Sequence, residues 1–115
     1  MNKYREEFCN MLFQTLNERQ SNYGNPSESM KHIAHMWSAY YDKRITPPEM
    51  VSMMIMLKLA RLKETPIHVD SWIDIAGYAS IAYESILTEI EDDEANEDPH
   101  EHKESIDDEE MDHDF

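Results

Sequence analysis

The sequence predicts an all-α protein, a four-helix bundle followed by a disordered acidic C-terminal tail. Three observations lead there. Apolar residues recur at spacings of three and four along most of the first 88 positions, no segment alternates with period two over a strand length, and only two glycines occur in 115 residues. Charge draws the boundary: residues 1–88 hold ten acidic and nine basic side chains, residues 89–115 fifteen acids and the single base Lys103. A nearly neutral helical domain, 1–88, is thus expected ahead of an acidic low-complexity tail, 89–115.

The first helix is expected over residues 3–20, where Tyr4, Phe8, Met11, Leu12 and Leu16 share one face, with Cys9 on the same buried side. Gly24 permits the positive φ of a turn. Asn25-Pro26-Ser27-Glu28 then has the form of a helix start, with a capping amide, a proline at the first helical position and a reciprocal acid. Thr46-Pro47-Pro48-Glu49 repeats the device. The third helix, about 47–64, is apolar on nearly every side until Lys58, which predicts a central helix contacted by several others. Its methionines read as core, with an adaptable binding surface as the alternative. Pro66 ends it. The fourth helix is expected from Asp70 to Thr88, capped by Asp70, with an extension into Glu89–Glu94 allowed. Gly77 costs about 1 kcal/mol relative to alanine inside a helix, and its small neighbours predict another helix packed close to this backbone.

The tail carries too few apolar residues to offset the entropy of ordering. One reading is solubilisation. The other is a polyanion, through Glu91, Asp92, Asp93, Glu94, Asp107, Asp108, Glu109 and Glu110, that occupies a basic surface on a protein partner, such as one that binds nucleic acid. Direct nucleic-acid binding is disfavoured for want of a basic patch. One cysteine excludes an internal disulfide or a thiolate zinc site. No segment reaches the roughly 18 to 20 apolar residues of a membrane span, and no signal-type run opens the chain, so a cytoplasmic protein is expected, in a host cell if phage-encoded. A homodimer is compatible with the aromatic content, since Trp37, Tyr40, Tyr41, Trp72, Tyr78 and Tyr83 exceed what a small core requires. Core packing is expected for most of them.

Candidate chemistry concentrates at the hairpin between helices three and four. Lys58 and Arg61 lie at i and i+3 on one helix, Asp70 and Asp74 at i and i+4 on the next. Either the four charges pair with one another, or Lys58 and Arg61 hold a phosphate near a helix N-terminus and Asp70 and Asp74 a cation. His32 and His35 share a helix edge without a third ligand marked by spacing, and His68 sits in the hairpin turn. The tail histidines His100, His102 and His113 suit at most loose metal binding.

These residues carry a resemblance. Tyr23-Gly24-Asn25-Pro26, Ile33-Ala34 with Trp37 and Tyr40, Ile45-Thr46-Pro47-Pro48, Met53-Met54, Lys58-Leu59-Ala60-Arg61 and Asp70-Ser71-Trp72-Ile73-Asp74-Ile75-Ala76-Gly77-Tyr78-Ala79 resemble a family of short bacteriophage and prophage proteins with no assigned function, over about residues 20–84. A more distant similarity is to all-α nucleotide pyrophosphatases of MazG type. That resemblance implies a magnesium site built from Glu-Glu-x-x-Glu and Glu-x-x-Asp. Here Asn10 stands where the third acid after Glu6-Glu7 belongs, and Ser71 stands three residues before Asp74. Two function classes follow: a non-enzymatic phage accessory or host-modulating protein, needing no cofactor, or a nucleotide-binding protein or diverged pyrophosphatase using Mg2+. Whether the chain is an enzyme stays open at this level.

Overall fold

The computed structural model describes residues 1–96, so the tail beyond Asn96, with Asp107, Asp108, Glu109 and Glu110, lies outside the described residues. Four helices follow in order: α1 (Lys3–Tyr23), α2 (Pro26–Tyr41), α3 (Pro47–Glu64) and α4 (Val69–Ala95). No strand occurs among the described residues. The all-α, four-helix architecture is as the periodicity requires.

Local chemistry fixes the helix starts. The Asn25 side chain accepts the Ser27 N–H at 2.9 Å, with Pro26 at the first helical position. At α3 the capping box is complete: the Glu49 N–H donates to Thr46 Oγ1 at 3.3 Å, and Glu49 Oε1 accepts from the Thr46 N–H and hydroxyl, each at 2.9 Å. Gly24 follows α1 with φ +82°, and Asp42 closes α2 in the left-handed region at φ 53°. Between α2 and α3, Ser38 Oγ donates to the Ala34 carbonyl and accepts the Ile45 N–H, both at 2.8 Å, tying the connection to α2.

Several expectations are corrected. α1 runs to Tyr23, and α4 starts at Val69 with His68, not Asp70, as its cap. The His68 ring Nδ1 accepts the Ser71 N–H at 3.3 Å and meets Ser71 Oγ at 2.8 Å, which moves the helix start upstream and leaves Asp70 in the first turn. α4 does take the allowed extension past Thr88, running without a break to Ala95. Cys9 is exposed. α4 packs against each of the other three helices, and α3 packs chiefly on α4 and then on α2.

The core is small. Ala34, Met50 and Val51 form its buried centre, with Met30, Ile33, Trp37, Met54 and Tyr78 among the residues packed around it. Leu62 and Ile73 are the other buried apolar side chains among the described residues. Met53 and Met56 are exposed, so only Met50 and Met54 of the α3 methionines serve the core. Four of the six singled-out aromatics, Tyr40, Tyr41, Trp72 and Tyr83, are exposed as well, against the expectation of core packing. α1 reaches α4 where predicted: a Cβ on Gly77 would meet Leu16 Cδ2 at 3.8 Å and Arg19 Nη1 at 3.9 Å.

Candidate functional site

The hairpin charges resolve into one cluster, centred on Asp74. Its Oδ1 accepts from Arg19 Nη2 at 2.7 Å and its Oδ2 pairs with Lys58 Nζ at 3.0 Å. Three helices are therefore joined at one carboxylate: Arg19 comes from α1, Lys58 from α3 and Asp74 from α4. The Asp74 and Lys58 side chains retain 17% and 14% of their exposure, whereas Arg19 retains 50%. Burial works to raise the Asp74 pKa, but hydrogen bonds from Arg19 and Lys58, and then their charges, outweigh it and hold the carboxyl below its ordinary value.

Arg61 and Asp70 stand apart from this cluster. Both are exposed, and neither takes part in an ion pair among the described residues. Arg61 instead lines an open hollow of about 320 Å³ with Glu64, Thr65 and His68 at the α3–α4 turn. The turn is steadied by the Trp72 indole N–H, which donates to the Pro66 carbonyl at 3.2 Å. The structure thus brings Lys58 and Asp74 together, adds Arg19, and leaves Arg61 and Asp70 outside. Arg19 was missed because no local spacing links it to a partner 55 residues away.

Among the described residues no three or more His, Cys, Asp or Glu side chains converge as a cation cage would require. His32 and His35 are both exposed on α2. His35 lines a groove of about 520 Å³ that sets Lys31 and Arg44 on one side against Glu89, Asp92 and Asp93 on the other. Two of the acids proposed for partner binding, Asp92 and Asp93, therefore lie beside this chain's own bases, while Glu91 and Glu94 are exposed near the end of α4.

Residues 13–86 match the family described as Domain of unknown function (DUF6378), and the chain belongs to that family. It is 47% identical over 62 residues to the Gene 55 protein of Mycobacterium phage D29, a match covering 54% of this chain and 41% of the phage protein. Against the Gene 55 protein of Mycobacterium phage L5 it is 42% identical over 77 residues, 64% of this chain and 48% of that protein. The chain thus spans less than half the length of these curated relatives. No solved structure matches. The expected phage family without an assigned function is the one found, and the matched segment holds the whole Asp74 cluster.

Proposed function

We propose that this is a non-enzymatic phage accessory protein whose helical body docks on a protein partner in the host cytoplasm, with the acidic tail occupying a basic surface of that partner. The observation that carries the reading is the state of Asp74. Both of its oxygens are engaged by cations from neighbouring helices, so the strongest candidate for a metal ligand already works as a clamp. What remains distinctive is the charge: fourteen net negative charges follow residue 88, against one in the body. A polyanion of that density competes for surfaces that bind phosphate backbones. Converting Asp107, Asp108, Glu109 and Glu110 to their amides in the full chain tests the tail directly. Recovery of partners from host lysate should fall and depend less on salt, since ten of the fourteen net charges remain. The same partners recovered with the same salt dependence would contradict the tail's role.

A second reading retains support from one feature, the hollow at Arg61 beside the start of α4. In that reading Arg61 and Lys58 would hold phosphates and Asp70 and Asp74 Mg2+, as in a nucleotide binder or a diverged pyrophosphatase, although of these four only Arg61 lines the hollow. This requires Asp74 to exchange its present partners for the metal. Screening nucleoside triphosphates by thermal shift, with and without magnesium, separates the two: the accessory reading expects no shift at millimolar ligand, the nucleotide reading expects one that Asp74→Ala removes.

A further inference from the structure

The α3–α4 pair is covered on one side and bare on the other. On α4, Asp74 and Gly77 face α1. On the opposite side of the same helix lie Trp72, Ala76, Ala79, Tyr83, Ile86 and Ile90, spaced four, three, four, three, four. That is the seam of a helix that packs along its whole length against another. Trp72, Tyr83 and Ile86 are 47%, 67% and 42% exposed, so nothing among the described residues fills the seam. Asp74 and Glu84 are the only charged residues from Ser71 to Thr88, and helical phase places both away from it.

The same holds for α3. Met50, Val51 and Met54 pack toward Ala34 of α2. Met56 and Leu59, on the far side, are 57% and 48% exposed, and Ala60 beside them is exposed too. Because α3 and α4 run antiparallel in contact, with α1 and α2 behind them, helical phase turns these two apolar stripes to one side. A helix that is apolar on every side is an interior helix, and here the interior is incomplete.

We infer that a second copy of this chain covers this face, α3 and α4 of one against α3 and α4 of the other. Three features select a second copy over an unrelated helix. The α4 seam is self-complementary: antiparallel pairing about a two-fold axis near Ile81 sets Tyr83 opposite Ala79, Ile86 opposite Ala76 and Trp72 opposite Ile90 of the second copy. The first two pairs put a large side chain against a small one. Next, from Trp72 to Thr88 the α4 seam presents no charged side chain that would repel its own copy. Finally, the face is about 27 Å long, at 1.5 Å per residue from Trp72 to Ile90, and about 20 Å wide across two helices. Its flat outline is about 540 Å² before side-chain relief is counted, the size of a small specific interface rather than the roughly 800 Å² per partner of a standard one. The two α4 C-termini then point in opposite directions, so the pair presents one acidic tail at each end.

Light scattering on the eluting 115-residue chain tests the inference. The expected mass is twice 13.6 kDa. Ala79→Glu, which places a charge at the seam centre, should give a helical 13.6 kDa monomer, whereas Tyr40→Glu on α2, outside the face, should stay dimeric. Should Ala79→Glu fail to fold, a second variant decides. Ala79→Cys in a Cys9→Ser background should be joined into a covalent pair by a short bis-maleimide, because residue 79 sits close to the two-fold axis. A wild-type mass of 13.6 kDa at all concentrations would overturn the inference. So would a dimer that survives Ala79→Glu or does not cross-link at residue 79.

Discussion

Asp74 is the residue on which the body's electrostatics turn. Removing its carboxylate leaves Lys58, whose side chain is only 14% exposed, without its partner, while Arg19 at 50% can turn to water. Asp74→Ala should therefore cost about 1–3 kcal/mol, less than a fully buried pair because one partner stays solvated. Arg19→Ala should cost under about 1 kcal/mol. Urea midpoints of the two variants check the ranking. The pH dependence has a definite sign. The folded-state pKa of Asp74 lies below the ordinary 3.8, so its contribution is complete above that value and is lost as pH falls through the folded pKa. Glu49 acts in the same direction, held low chiefly by the Thr46 backbone N–H and then its hydroxyl. Unfolding midpoints measured downward from pH 5 should decline more steeply for the wild type than for Asp74→Asn. Of this cluster, the sequence displayed Lys58 and Asp74, because each sits near a turn that brings its helices together. Arg19 stayed hidden, since only the tertiary approach of α1 to Gly77 delivers it.

At the scale of elements, the starts of α2 and α3 were legible because a cap is a local device, written in four consecutive residues. Thr46→Ala should lower stability by about 1 kcal/mol, with loss of helix content in the first turn of α3 visible by amide exchange. The start of α4 was misread because two residues compete for one role: Asp70 is the commoner cap, but His68 already satisfies the Ser71 N–H. Gly77 shows the limit of reading small residues as necessity. α1 does pack there, yet a methyl group would meet its neighbours at ordinary van der Waals distance. Gly77→Ala should accordingly stabilise the helix by about 0.5–1 kcal/mol, read as a raised melting temperature. A lowered one would mean that α1 approaches more closely than the structure places it.

For the whole molecule, what matters is how little apolar surface one copy buries. Ala34, Met50, Val51, Leu62 and Ile73 are the buried apolar residues among those described, a small core for four helices. Periodicity announced α3 as an interior helix, but Met53, Met56, Leu57 and Leu59 are exposed, so the described residues do not enclose it. Sequence patterns report that a face is to be buried without saying what buries it. If a second copy does so, melting temperature should rise with protein concentration over two decades, as folding and association become one equilibrium. A concentration-independent value would restrict each copy to its own small core.

We propose that the Asp74 cluster is a clamp between three helices and not a ligand site. Thermal unfolding of the wild type and Asp74→Ala, each with and without millimolar magnesium and nucleoside triphosphate, puts it to the test most directly. The clamp predicts a wild-type melting temperature that ligand leaves unchanged, and a value several degrees lower for Asp74→Ala under both conditions. A wild type stabilised by ligand, beside an Asp74→Ala variant that melts like the unliganded wild type, would contradict it.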